Sequence, residues 1–283
     1  MSEGIKLYRT TSGPVAESVE GLYAVPASSW DELIISEDLE PRLQEIVTHV
    51  KPLNTELDRL TILPPIGTQE VWAAGVTYFR SRDARMEESK SAGGGDFYDR
   101  VYSAERPELF FKATASRVVG PGARVAIRRD AKWSVPEPEL VLLVSPKGKI
   151  LGFTIGNDMS SRDIEGENPL YLPQAKVYYR SCALGPCILV SSSGLPRSTE
   201  IRMEIFRESV NVFSGSIALN AIKREFPSLV EFLYRDNVFP TGSFLFTGTG
   251  IVPPDSFTLN EGDEIRIGIE GIGTLVNTVA LNG

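Results

Sequence analysis

A chain of 283 residues, 42% of them hydrophobic, can bury one large core or a large and a small one, which excludes an intrinsically disordered protein and a disulfide-stapled miniprotein. The formal net charge of -8 gives no basic stripe to neutralise phosphates, so we expect neither nucleic acid nor an anionic membrane surface as a partner. The first residues lack the apolar stretch of a signal peptide, and no later run approaches the roughly 18 apolar residues of a membrane span. We expect a cytoplasmic protein whose partner is a small molecule or another protein chain.

The N-terminal part is predicted to form a small α+β domain. Residues 5–25 have the pattern of short strands, and apolar residues recur at helical spacing over residues 39–50. The following segment is rich in Pro, Thr and Asn, as is typical of a linker. We therefore place a domain boundary near Pro64, between a small domain at 1–64 and a larger one at 65–283.

The larger domain is predicted to be mostly β. From Val71 onward, apolar runs of four to six residues are separated by Gly, Pro, Asn and Asp. One helix interrupts this pattern, with Ser228 as its expected N-cap and with Leu229, Phe232 and Leu233 on its buried side. We expect this helix to cover the sheet.

A polar stretch before Asp99 contains three consecutive glycines, Gly93 to Gly95, and has no periodicity. Such a segment fits two interpretations, an ordinary surface loop or an active-site lid with glycine hinges. The sequence leaves both open.

The chain has one histidine, His49, at the end of the N-terminal helix. A Ser-His-Asp or Cys-His hydrolase would need it as the base, and no nucleophile motif accompanies it. Histidine-rich zinc sites are excluded by the count. The two cysteines, Cys182 and Cys187, match neither a zinc nor a redox spacing and are expected to be buried thiols.

Carboxylates remain as candidate metal ligands. Glu137 and Glu139 precede an apolar strand and point to the same face if they are extended. Two such charges repel unless a cation or a proton lies between them, although two independent glutamates at a solvated strand end would also fit. If the next strand returns as a hairpin through the turn at 146–149, Asp158 lies beside them. Three oxygen ligands favour Mg²⁺ or Mn²⁺, with Ca²⁺ as a further alternative.

Five motifs then occur in a fixed order: Glu-x-Glu, GFTIGNDMSSRD, a lysine before Leu184-Gly185-Pro186, FTGTG and GDEIRIGIEGIGTLVNTV. From about Val71 to the C-terminus, this order resembles the fumarylacetoacetate hydrolase family. The resemblance implies an α+β fold, in which the small N-terminal α+β module precedes a larger mixed β-sandwich roll. It also implies a homo-oligomer, either a dimer or a dimer of dimers.

The same resemblance implies roles for individual residues. Glu137, Glu139 and Asp158 would bind the metal, Lys176 would be the nearby cation that contacts the substrate and the charged ligands, and Thr249 would bind the substrate from the TGTG loop. Hydrolases of the family carry a water-activating histidine after a Gly-x-Asn-Tyr-like motif, whereas residues 75–82 read GVTYFRSR here. Efficient hydrolysis by the usual route is therefore not expected, because loss of a general base costs roughly two to four orders of magnitude in rate.

The stretches RPELFFKATASRVVG, EGENPLYLPQAKVY and TGTGIVP resemble one branch of the family, the 2-keto-3-deoxy-D-arabinonate dehydratases. This branch implies a metal-dependent lyase for a 2-keto sugar acid, with Glu108 and Lys176 as the proton-transfer candidates. It also implies Arg80, Lys112 and Tyr171 as substrate-binding residues. Without the resemblance, Glu108 and Lys112 are an i,i+4 pair or exposed strand residues.

The expected reaction is dehydration of 2-keto-3-deoxy-D-arabinonate to 2,5-dioxopentanoate through a metal-stabilised enolate. An acylpyruvate hydrolase or a 2-keto acid decarboxylase on the same scaffold would pass through a similar enolate. A catalytically silent metal-binding protein is the alternative from another class.

Overall fold

The structure, a computed structural model, describes residues 4–78 and 95–282, and the side chains of 95–98 are not described. The strands are β1 (Ile5–Thr10), β2 (Gly13–Ser18), β3 (Gly21–Ala24), β4 (Glu70–Gly75), β5 (Glu108–Thr114), β6 (Val118–Val119), β7 (Arg124–Ile127), β8 (Ser134–Val135), β9 (Pro138–Val144), β10 (Ile150–Asp158), β11 (Ser160–Ser161), β12 (Cys182–Val190), β13 (Glu200–Arg207), β14 (Val210–Ala218), β15 (Ser243–Phe246), β16 (Glu264–Ile269) and β17 (Gly273–Leu281). The helices are α1 (Trp30–Ile34), α2 (Leu39–His49), α3 (Gly95–Ser103), α4 (Arg162–Glu167), α5 (Leu172–Lys176) and α6 (Phe226–Tyr234). None of the helices in these ranges is long and apolar enough to span a bilayer.

The main sheet has ten strands in the order β3-β2-β1-β12-β10-β9-β15-β4-β5, with β6 paired to β12. β6 follows β5 in the chain after one short 3-10 turn, and β6 pairs with β12. The strands from β12 to β5 therefore curl back until β5 lies near β12. Val71, Leu184 and Phe246 point into this curl and belong to one buried apolar cluster. The curl brings β5 and β10 together, although they are distant in the sheet order.

A second sheet packs on the outer face of the main sheet. Its five strands follow the order β14-β13-β16-β17-β7. Leu142 and Phe153 of the main sheet share a buried cluster with Ile205, Ile267 and Leu275 of the second sheet. The result is a two-layer β-structure with the curled sheet on one side.

The N-terminal strands extend the main sheet, because β1 pairs antiparallel with β12. The predicted helix is α2, and it buries the expected Leu39, Leu43, Ile46 and Val47, whereas Val50 lies just beyond its end and is exposed. The division of the chain near Pro64 stays a prediction.

Helix α6 lies where the sequence predicts a helix, but the predicted N-cap is wrong. The helix begins at Phe226 with Glu225 as N-cap, and Pro227 lies in its first turn, where a missing N–H costs nothing. Ser228 is therefore inside the helix. The buried residues are Leu229, Val230 and Leu233, whereas Phe232 is half-buried rather than buried as predicted.

Candidate metal centre and active site

The hairpin of β9 and β10 places three carboxylates together. The turn closes as predicted, since Ser145 N–H donates to Lys149 O at 2.8 Å. Farther along the hairpin, the backbones of Glu137 and Asp158 exchange both hydrogen bonds, at 3.2 and 2.9 Å, and Glu139 lies opposite Gly156. Strand alternation then puts all three side chains on one face, and one ligand atom of each lies within 4.8 Å of the others.

This acidic cluster of Glu137, Glu139 and Asp158 is deeply buried, with relative exposures of 3%, 2% and 1%. Burial, and then the charges of Asp158 and Glu137, raise the pKa of Glu139 well above its ordinary value, because each disfavours a second or third negative charge. Solvent does not screen this repulsion. The cluster therefore needs positive charge from the protein or from a bound cation.

Lys176 supplies part of that charge from the end of α5. Its Nζ lies 2.7 Å from Glu137 Oε2 and 3.0 Å from Asp158 Oδ2, and it donates to Ser160 Oγ at 2.6 Å. The ring centre of Phe110 is 5.8 Å from the same nitrogen, which adds a cation–π contact. The sequence prediction that Lys176 lies near the acids agrees with this position.

Two further cations contact the outer edges of the cluster. Lys112 Nζ is 2.5 Å from Asp158 Oδ1, and Arg162 Nη2 is 2.8 Å from Glu137 Oε1. Arg162 is not among the site residues predicted from the sequence. Strand alternation does not place it, because Arg162 is the first residue of α4, directly after β11.

The TGTG loop that follows β15 positions Glu139. Gly248 N–H donates to Glu139 Oε2 at 2.5 Å, and Thr77 Oγ1 holds the loop by donating to Thr247 O at 2.7 Å. Gly248 has a φ of +92°, and a Cβ there would meet Thr77 Oγ1 at 2.0 Å. Only glycine fits this conformation without strain. Tyr78 lies next to the loop, and burial together with the charge of Glu139 raises its pKa.

Glu108 is on the face of β5 that looks into the site. It pairs with Gly75, and alternation puts it on the same face as Phe110, whose ring contacts Lys176. A Cβ on Gly75 would meet Glu108 Oε2 at 2.1 Å, so the side chain lies over this glycine. Its proton-transfer role stays a prediction.

The other predicted site residues have different positions. Thr249 is buried in the TGTG loop, where its Oγ1 accepts from Ile251 N–H at 3.3 Å. Tyr171 is 37% exposed and immediately precedes α5. Arg80 and the predicted lid glycines Gly93 and Gly94 lie outside the described residues, and Gly95 begins α3. The substrate-binding roles stay predictions.

A divalent cation fits the acidic cluster. All three ligand side chains offer oxygen, the donor that Mg²⁺, Mn²⁺ and Ca²⁺ prefer. Within the described residues Glu139 forms no ion pair, and the N–H of Gly248 is the hydrogen-bond donor to its carboxylate. Glu137, Glu139 and Asp158 are therefore the residues that would hold the metal.

Comparison with known proteins agrees with this geometry. A structure of 2-keto-3-deoxy-D-arabinonate dehydratase complexed with magnesium and 2,5-dioxopentanoate superposes with a TM-score of 0.79 at 32% identity, covering 98% of this chain and 99% of that one. A probable 2-keto-3-deoxyxylonate dehydratase of Haloferax volcanii is 48% identical over 76% of this chain and 73% of its own length. A 2-dehydro-3-deoxy-D-arabinonate dehydratase of Saccharolobus solfataricus is 43% identical over 79% of this chain and 76% of its own length.

The sequence profile described as Fumarylacetoacetate (FAA) hydrolase C-terminal matches residues 78–280. The predicted α+β fold and the predicted resemblance are both confirmed by these matches. The chain belongs to the fumarylacetoacetate hydrolase family.

Proposed function

We propose that this chain is a Mg²⁺-dependent hydro-lyase that converts 2-keto-3-deoxy-D-arabinonate to 2,5-dioxopentanoate. The observation that carries the proposal is the buried acidic cluster with the Lys176 ammonium 2.7 Å from Glu137 and 3.0 Å from Asp158. Two relatives above 40% identity bear dehydratase names for 2-keto-3-deoxy acids. One structural neighbour contains both magnesium and the proposed product.

The reaction removes a proton from C3 and hydroxide from C4. When bound, Mg²⁺ supplies positive charge beside the 2-keto acid, where negative charge develops as the C3 proton leaves. The C3–H and C4–O bonds break, a C3–C4 double bond forms, and the C4 hydroxyl departs with a proton as water. The elimination product is an enone with its hydroxyl still on C5. A proton then leaves C5 and one adds at C3, and the resulting C4=C5 enol tautomerises to 2,5-dioxopentanoate.

Lys176 and Glu108 are the proposed proton-transfer groups. Lys176 reaches the acidic cluster from α5. Glu108 lies on the side of β5 that faces the site, and Phe110 on the same side of β5 contacts Lys176. General acid–base catalysis requires such groups within hydrogen-bond reach of the reacting atoms. Thr249, Tyr171 and Arg80 are proposed to bind the substrate.

The position of the histidine favours a lyase over a hydrolase that uses a histidine base. His49 is exposed on α2, and its Nδ1 lies 3.1 Å from Glu45 O of the same helix. Because it is the one histidine of the chain, the acidic cluster has no histidine to activate water. An elimination needs no such water.

Product analysis tests the proposal. Purified protein with Mg²⁺ and 2-keto-3-deoxy-D-arabinonate is expected to release 2,5-dioxopentanoate, detected as an aldehyde, and chelation of the metal should stop the reaction. Lys176→Met should reduce the rate by about two to four orders of magnitude, as expected for loss of a proton-transfer group. Pyruvate released from an acylpyruvate, or carbon dioxide from a 2-keto acid, without aldehyde formation would overturn the dehydratase assignment. No turnover of any of these substrates would favour the metal-binding protein without catalysis.

We also propose that the protein acts as a homo-oligomer, a dimer or a dimer of dimers. Strand β14 is the terminal strand of the second sheet and contains no charged residue over Val210–Ala218. Uncharged edge strands present backbone groups that pair readily with another chain. Light scattering should show the oligomer, and Val212→Lys on this edge should shift it toward monomers.

We propose a cytoplasmic location. Cys182 and Cys187 are both buried free thiols, which is typical of a reducing compartment. Fractionation of cells should place the protein with cytoplasmic markers.

A further inference from the structure

Lys112 is a fully buried lysine, with 0% relative exposure, whose contacts point away from a substrate role. Its Nζ lies 2.5 Å from Asp158 Oδ1 and donates to Met159 O at 3.1 Å and to Lys176 O at 2.5 Å. Two of the three N–H donors of this ammonium therefore go to backbone carbonyls, and its charge forms an ion pair with Asp158. All of these contacts are to the protein, and the side chain is closed off from solvent.

A β-bulge explains how this side chain reaches the site. Val71 on β4 pairs with Ala113, while the next residue, Trp72, pairs with Phe111. Lys112 is the extra residue between them. Bulges of this kind redirect a side chain and are frequent beside active sites, and here the redirected side chain crosses to β10.

The two strongest contacts of Lys112 join two different functional parts. Asp158 is a proposed metal ligand, and Lys176 is the proposed proton-transfer residue at the end of α5. A helix leaves its last carbonyls without partners inside the helix, so the Lys176 carbonyl needs an outside donor. Lys112 is that donor, and the same ammonium fixes the orientation of Asp158.

We propose that Lys112 is a positioning residue that sets the distance between the metal ligand Asp158 and the proton-transfer residue Lys176. The role rests on the proposed dehydratase function, because only then do both groups act on one substrate. Outer partners of metal ligands orient them, and losing one typically costs about 10- to 100-fold in metal affinity or activity. Lys112 acts in this way on a metal ligand and on a proton-transfer residue together.

The test uses Lys112→Met in the full-length protein, which removes the charge and all three donors while keeping the length of the side chain. We expect kcat to fall by about 10- to 100-fold and Mn²⁺, titrated without substrate by calorimetry, to bind about 10-fold more weakly. The KM for the sugar acid should change by less than about three-fold, because Lys112 contacts the protein. Lys112→Arg retains the charge and donors and should recover part of the Mn²⁺ affinity.

Arg207→Met is the matched control. Arg207 also pairs with a buried carboxylate, donating to Asp263 at 2.8 Å twice, but in the second sheet. It should lower the melting temperature while leaving Mn²⁺ affinity and kcat unchanged. If Lys112→Met does not fold, the comparison of Lys112→Arg with wild type in the same titrations decides.

Three results would overturn the proposal: unchanged Mn²⁺ affinity and kcat in Lys112→Met, a rise in KM alone, or equal losses in Arg207→Met. The first leaves Lys112 without a role in the site, the second makes it a substrate contact, and the third makes the effect one of stability. Failure of wild-type protein to form the aldehyde would instead reject the dehydratase function. The Mn²⁺ titrations would still decide whether Lys112 orients Asp158.

Discussion

The main sheet and the second sheet differ in where their charged residues lie. Every residue of β9 is buried, including Glu139, whereas β13 alternates and exposes Arg202 and Glu204 to solvent. An exposed ion pair contributes about 0 to 1 kcal/mol, but a buried charge without partners costs far more. A buried acid at the end of an apolar strand therefore indicates function, whereas an exposed acid such as Glu204 needs no such explanation.

Removing one acid from the buried cluster should change turnover more than any other substitution in the two sheets. Glu139→Gln is expected to lower turnover by at least about 1,000-fold, since a metal ligand is lost. The metal-free variant should melt at a higher temperature than metal-free wild type, because one of three buried like charges is gone. Enzyme assays and thermal melts with chelator check both effects.

Glu204→Gln on β13 is the control for this substitution. Its side chain is exposed, so turnover and melting temperature should both stay at the wild-type level. Loss of turnover in this control, or unchanged turnover in Glu139→Gln, would contradict the difference between the two sheets.

Two glycines with the same backbone conformation sharpen the comparison. Gly248 in the TGTG loop and Gly262 before β16 have φ values of +92° and +90°. A Cβ on Gly248 meets Thr77 Oγ1 at 2.0 Å, whereas one on Gly262 meets nothing within 4 Å. Gly248→Ala should lower activity by roughly 10- to 100-fold, because the N–H that orients Glu139 must shift.

Gly262→Ala should keep full activity and cost only about 1 kcal/mol, the typical cost of a left-handed conformation for alanine. Kinetics and denaturant unfolding measure both variants. Equal activity losses would mean that backbone strain alone, and not the contact with Glu139, explains the first result.

The thiol of Cys182 probes burial at the site without mutation. Cys182 lies opposite Asp158 in the sheet, and burial raises its pKa to about 12. Burial likewise raises the pKa of Cys187 to about 12. Because both thiols stay protonated at pH 8, neither should react with a thiol reagent in native protein, and both should react in guanidinium. Rapid native labelling would show that the sheet opens.

The smallest effect is expected for a substitution of Ser228 in α6, the helix that packs against the buried apolar cluster between the two sheets. Ser228→Ala should change the free energy of unfolding by less than about 0.5 kcal/mol, since Ser228 is not the N-cap. Leu229→Ala, at a fully buried position of the same helix, should cost about 2 to 5 kcal/mol. Urea unfolding compares them, and a cost of about 1 kcal/mol for Ser228→Ala would restore the capping role.

Local rules account for the parts of the site that were predicted. Alternation along β9 gives the shared face of Glu137 and Glu139, and the turn before β10 brings back Asp158. These relations need only residues close in sequence. The helix α2 was predicted for the same reason, because its apolar spacing is local.

Nonlocal pairing accounts for what was not predicted. The position of Lys112 depends on a one-residue bulge against β4 and on the curl that brings β5 to β10. No periodicity of the sequence reports either feature. The wrong N-cap of α6 has a local cause, since Pro227 permits an earlier start than Ser228 suggests.

The convergence of Glu137, Glu139 and Asp158 also links the lifetime of the protein to its supply of magnesium. The three acids meet only in the folded chain, so a cation bound there stabilises the folded state by mass action. The stabilisation is about 2.7 kcal/mol when the free cation concentration is a hundred times the dissociation constant. A cell short of magnesium would then lose more than turnover. Its metal-free chains would unfold more often and be degraded by proteases, so that the amount of the enzyme follows the availability of the ion.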